Sequence, residues 1–198
     1  MENEGIINKR VKDFSKGIDI IQTILIFLIA LLVPTFFGRI LSKIFGSTSV
    51  ISTNSQLIIG TIVNIALVVS AINLKGWAKI LGVVTMPSIS TILSGYVFGT
   101  ASVYMVYMIP AIWLGNFALI YSYKLLMLGK NKHYFLAGIV GIIVKVAIIF
   151  ALFNLNNLFG VFPEKLVTTL STAMGTTQLI TATLGVILAF IIYKIEKR

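Results

Sequence analysis

The sequence predicts an all-α integral membrane protein, a bundle of six transmembrane helices with both termini in the cytoplasm. Composition is the first reason: 58% of the 198 residues are hydrophobic and only 11% are charged. Mean hydropathy is +1.01, whereas a soluble domain carries about a quarter charged residues. The second reason is pattern. Six apolar runs approach or exceed the roughly 18 to 20 residues that cross a hydrocarbon core, and most are separated by short polar breaks. They leave room for one membrane domain over residues 1–198: a cytoplasmic segment 1–17, a bundle 18–193 and a short tail 194–198.

The first run is Ile18 to Phe37. The segment before it, "MENEGIINKRVKDFSKG", carries acids as well as bases, and the run is too long for a signal sequence and lacks a small-residue cleavage site. It is expected to be retained. The second run is Leu57 to Leu74. The third and fourth, Trp77 to Tyr96 and Ser102 to Leu126, contain Pro87 and Pro110 and are joined by "SGYVFGTAS", which is too apolar for an ordinary hydrophilic loop. Broken or kinked helices are expected in both. The fifth run is Tyr134 to Leu155 and the sixth is Thr177 to Tyr193. Between them, Pro163 followed by "EKLVTTLSTAM" reads as a short helix, opened by proline and an acid and closed near Gly175.

Orientation follows from the bases. With the amino terminus inside, the cytoplasmic side receives Lys9, Arg10, Lys12 and Lys16, then Lys75 and Lys79, then Lys124, Lys130 and Lys132, then Lys194, Lys197 and Arg198. The outer side receives only Arg39, Lys43 and Lys165. The two longest connections, "GRILSKIFGSTSVISTNSQ" and "NNLFGVFPEKLVTTLSTAMGT", then both lie outside, where they can cover an outward-facing pocket.

Several function classes drop out. The formal charge of +10 is spread over short clusters between apolar runs, with no basic face and no nucleic-acid motif. The chain has no cysteine and one histidine, His133, beside lysines in a connecting loop. Disulfides, thiol catalysis and cysteine-held clusters are therefore excluded, and a protein-built zinc site is not expected. No Walker loop, HExxH, serine elbow or pair of membrane acids is present, so no catalytic residue or cofactor is assigned.

The residue that stands out is Lys145, the twelfth of the 22 residues of the fifth run, near the bilayer centre. A lysine there costs about 2.5 to 3.5 kcal/mol and should face the bundle or a wet cavity. The six acids, Glu2, Glu4, Asp13, Asp19, Glu164 and Glu196, all lie outside its depth. Three roles stay open: a structural amine bonded to helix carbonyls and Asn or Gln side chains, a ligand for an anion or carboxylate, or a salt bridge to Asp19 or Glu164. Asn64, Asn116, Asn154 and Gln178 also lie in or at the ends of apolar runs, as interhelical bonds worth about 0.6 kcal/mol each or as the lining of one polar pocket with Lys145. Trp113 and Tyr107, near Pro110, serve a pocket, a core or an interfacial belt. Small residues at Ala111 and Gly115, Ala137 and Gly141, and Gly185 and Ala189 permit close helix contact.

The order "GTIVNIALVV", "GVVTMPSIS", "MIPAIWLGNFALIY", "GIVGIIVKVAIIF", "STAMGTTQLITATLG" resembles the substrate-binding (S) components of bacterial energy-coupling factor transporters. The likeness covers roughly Leu57 to Gly185 and rests on Asn64, Pro87 with Ser88, the Pro110 to Asn116 block, Lys145 and Gln178. The resemblance implies a six-helix bundle in the bacterial cytoplasmic membrane that binds a vitamin, its precursor or a metal ion near the outer face. Loops between helices one and two, three and four, and five and six would close the site. It also implies a transmembrane T component and two cytoplasmic ATPases as partners, with transport by toppling of the S component. The sequence departs from the family in two places. The AxxxA docking pattern of the first helix is absent, since Pro34 follows Ala30 by four residues. The histidine-bearing amino-terminal signature of nickel and cobalt binders is missing too, and an iron hydrogenase label carried by some relatives is incompatible with a chain that has no cysteine.

The leading expectation is therefore a substrate-binding subunit whose small solute meets Asn64, Trp113, Asn116, Lys145 and Gln178. The alternative is a non-transport accessory or assembly subunit whose polar residues are structural. An integral-membrane enzyme ranks last.

Overall fold

The computed structural model describes residues 16–46, 54–94 and 99–196; the expectations for 1–15, for the joins 47–53 and 95–98, and for 197–198 lie outside the described residues. Among the described residues every regular element is helical. We number them α1 (Lys16–Phe45), α2 (Ser55–Asn73), α3 (Trp77–Ser94), α4 (Ile109–Ser122), α5 (Tyr134–Leu158), α6 (Glu164–Met174) and α7 (Thr176–Glu196). Five helical stretches are long and apolar enough to cross a membrane: α1, α2, Ala101–Gly129 around α4, α5, and α6 with α7; Trp77–Ile92 of α3 is a shorter apolar helix. The chain is thus a multi-pass membrane protein with five to six long apolar helices. The exposed faces agree. Along α1 the residues Ile20, Ile21, Ile24, Leu25, Leu28 and Leu32 are all exposed, a surface suited to lipid rather than water.

Two elements differ from the sequence reading. The first helix does not end at Phe37 but continues to Phe45, where Gly46 at φ 85° turns the chain out of the helix. Pro34 is absorbed by one wider π turn, Val33–Phe37. Insertions of this kind re-satisfy the backbone around a helix proline, and here the Leu31 carbonyl accepts the hydroxyls of both Thr35 and Ser90. The Ser90 bond also pins α3 to α1. The third helix departs less: where a break or kink is expected, α3 runs on through Pro87 as one helix. Side-chain donors bond carbonyls of the turns around it, Ser88 to that of Thr85, Thr91 to that of Pro87 and Asn116 of α4 to that of Val84. The expected irregularity does occur before α4, where Gly99–Met108 is a 3-10 helix and Pro110 sits in the first turn of the α-helix that follows.

The short helix expected after Pro163 is α6, with Pro163 and Gly175 as its two boundary residues. Its Leu170, Ala173 and Met174 are buried in a cluster with Met105, Met108, Ile149 and Phe153. A larger cluster fills the other half of the bundle, centred on Leu67, Val68, Ile80, Val83, Leu119 and Tyr123.

Polar pins fix the end of the bundle where the described chain starts and stops. Asp19 of α1 pairs with Lys79 of α3, and Asn73 of α2 donates to both carboxylate oxygens of Glu196 at 3.0 Å. Lys124, read from sequence as one of the bases on the cytoplasmic side, is 1% exposed and donates to the Leu74 carbonyl at 2.7 Å. The ammonium satisfies a carbonyl at the negative end of α2, which the helix itself leaves unpaired.

Helix α7 lies along α2 and α5 along α4. Gly185 makes the first of these contacts possible, because a Cβ there would overlap the Asn64 side chain and stand 3.1 Å from its carbonyl carbon. Gly185→Val should therefore lower stability by about 1–3 kcal/mol, the usual cost of overpacking a tight contact. Thermal unfolding of the purified protein, beside a Gly17→Ala control in open space, checks this; a midpoint equal to the control's refutes the close packing.

Candidate functional site

At mid-bundle the helices line a half-open cavity of about 80 Å³ around Lys145. Helix α5 delivers the lysine: its apolar neighbours Ile143 and Val144 face outward, while Lys145 points inward and is 2% exposed. Its Nζ donates to Asn64 Oδ1 at 2.6 Å. Asn64 is oriented for this by α2, because its Nδ2 donates to the Gly60 carbonyl at 2.8 Å and reaches Thr181 Oγ1 of α7 at 3.4 Å. Thr181 in turn donates to the Gln178 carbonyl at 3.3 Å.

Of the five residues singled out from sequence, four line this cavity: Asn64, Asn116, Lys145 and Gln178. Trp113 does not. Its indole N–H donates to Ser88 Oγ at 2.6 Å, so it touches the cavity only through Ser88, which is part of the lining. Asn116 is buried with its amide on the Val84 carbonyl at 3.3 Å. Asn154 is exposed and bonds its own helix at Phe150, and Tyr107 is exposed as well. A salt bridge between Lys145 and Asp19 is ruled out by the pairing of Asp19 with Lys79, and among the described residues no carboxylate meets Lys145.

Several polar contributors were not foreseen. Gln56 lies in what read as an outer connection, but it belongs to the first turn of α2 and lines the cavity, and its buried Nε2 has no acceptor. Thr177, in the first turn of α7, lines it too. The sequence signal for Gln56 was its place just after Ser55 at the start of an apolar run, a helix opening rather than a loop. Thr91 and Thr181 add hydroxyls to the lining, and its apolar members include Pro34, Ile59, Val63, Ile92, Met105 and Ile112. Among the described residues no group of three or more His, Asp or Glu side chains is arranged to hold a metal.

The electrostatics of Lys145 are lopsided. An ammonium carries three donors, and one bond to Asn64 is all that the described residues offer it. Hydrogen bonds to charged groups are worth about 1.5–3 kcal/mol, similar to the roughly 2.5–3.5 kcal/mol cost of a lysine at mid-membrane. That bond is thus what makes the lysine tolerable in the empty cavity.

Comparison with protein families, with curated proteins and with solved structures returned no match.

The dependence of Lys145 on Asn64 has a measurable consequence. Asn64→Leu orphans the ammonium and should destabilise by about 1–3 kcal/mol or more, whereas Lys145→Met should be nearly neutral and should rescue Asn64→Leu in the double variant. Unfolding midpoints of the four proteins test the coupling, and strictly additive losses would remove the Lys145 to Asn64 bond as the anchor.

Proposed function

We propose that the chain is the substrate-binding membrane subunit of an energy-coupling factor type transporter, taking up a small solute such as a vitamin or precursor with a T component and two ATPase subunits. The observation that carries the reading is the half-open, partly polar cavity in the middle of a membrane bundle, with a buried lysine whose donors exceed its acceptors. The all-helical bundle is compatible with the fold of that family, and the segments that carry the resemblance, from Asn64 to Gln178, contribute most of the polar lining. In this reading the end of the bundle bearing Lys75, Lys79, Lys130, Lys132 and Lys194 faces the cytoplasm, and the cavity opens toward the other side. A vitamin needs more room than the cavity offers, since pockets for drug-sized ligands span about 300–1,000 Å³. Solute entry then requires α1, α2 and α7 to part around Pro34, Gln56 and Gln178.

A second reading has its own support. The small cavity and the satisfied Lys145 to Asn64 pair also suit an accessory or assembly subunit whose polar residues hold helices together. The experiment that separates the two is affinity purification of the full chain from native membranes. Recovery with a T component and ATPases, and a low-mass solute released in native mass spectrometry, is the expected outcome. Recovery with a different stable complex and no solute supports the accessory role and removes the transport reading.

A further inference from the structure

Four positive features converge on the Lys145 cavity and no acid lines it. The first is the ammonium, 2% exposed with one acceptor. The second is the Gln56 amide, whose buried Nε2 donates to nothing. The third and fourth are the opening turns of α2 and α7, represented in the lining by Gln56 and by Thr177 with Gln178. Helices of 19 and 21 residues each present the equivalent of about half a positive charge at this end, with N–H groups free of helical partners. Helix α7 starts here because the chain breaks after α6 at Gly175, whose ψ of −90° is far from helical. Helix N-termini that line a cavity are suited to an anionic group.

The lining also holds the apolar Ile59, Val63, Met105 and Ile112 with Pro34 and Pro87, and hydroxyls at Ser88, Thr91 and Thr181. A lining with this share of hydrocarbon favours one kind of anion. A tetrahedral oxyanion presents oxygens in every direction and would leave some against hydrocarbon, unpaired. A carboxylate concentrates two oxygens at one end and leaves an apolar body. A cavity of about 80 Å³ limits that body to a few carbons.

We propose that this cavity binds a short-chain monocarboxylate, its carboxylate on Lys145 Nζ and the Gln56 amide and its alkyl end against Ile59, Val63, Met105 and Ile112. The ligand supplies the counter-charge that the protein lacks at this depth, and Asn64 positions the ammonium. This rests on the solute-binding reading above and names the class of solute.

The test uses the purified full chain with butyrate, butyramide and inorganic phosphate as probes at equal ionic strength, reading the unfolding midpoint against concentration. Butyrate is expected to raise the midpoint in a saturable way, as binding to the folded state alone must, and neither the isosteric amide nor phosphate should do so. Lys145→Met should lose at least tenfold in apparent affinity, and Gln56→Leu should weaken binding without needing the lysine to change. If Lys145→Met does not fold, the Gln56→Leu comparison decides. An equal shift with butyramide, or a butyrate shift unchanged in whichever variant folds, overturns the proposal. No butyrate shift, together with a neutral solute copurifying in native mass spectrometry, overturns the carboxylate and leaves the solute-binding reading standing. A butyrate shift that is lost in the variants, in a protein that never copurifies with transporter subunits, does the reverse.

Discussion

The bond from Lys145 Nζ to Asn64 Oδ1 holds the centre of this bundle together. It joins α5 to α2, and through the second Asn64 contact to Thr181 it reaches α7. Three helices meet there only because Gly185 and Gly60 lack side chains: α7 approaches the Asn64 backbone at the first, and Thr181 packs over the second. In a bilayer no hydrophobic effect drives helices against each other. Close packing at glycine and a few buried polar bonds carry that burden, and here both occur at one level of the molecule. The cavity is the space left beside them.

Much of this arrangement can be read from sequence, and what cannot has a physical reason. Lys145 is conspicuous because charge is rare inside apolar runs, and Asn64, Asn116 and Gln178 are conspicuous on the same ground. Their convergence is not visible, since it depends on helix rotation and contact, which a hydrophobic pattern that is apolar on nearly every face leaves undefined. Trp113 illustrates the limit. Its sequence position, three residues from Asn116, puts it within a helical turn of the cavity, yet it stands behind Ser88, to which its indole N–H donates, and does not itself line the cavity. Gln56 illustrates the converse: a polar residue next to Ser55 looks like loop until the helix is seen to open there.

Pro87 shows a related limit. A break or kink is expected there because a proline removes an N–H and crowds the preceding turn. Inside the bundle the helix continues, and the hydroxyls of Ser88 and Thr91 bond carbonyls of the neighbouring turns, as those of Thr35 and Ser90 do beside Pro34. Lys124, assigned by its charge to the cytoplasmic side, is buried: the carbonyl at the end of α2 offers an acceptor, and the long stem reaches it.

The continuation of α1 past Pro34 also sets a length. Its 30 residues rise about 1.5 Å each, so the helix is about 45 Å long, against a hydrocarbon layer of about 30 Å. The excess cannot be hidden by a vertical rod. Either the helix leans steeply, or its last two turns, which carry Arg39 and Lys43, stand among the lipid headgroups. A thinner or thicker bilayer changes the balance between these postures at a cost of fractions of a kcal/mol per Å. Because Pro34 lies in the wall of the cavity, the thickness of the surrounding membrane bears mechanically on the chamber at its centre.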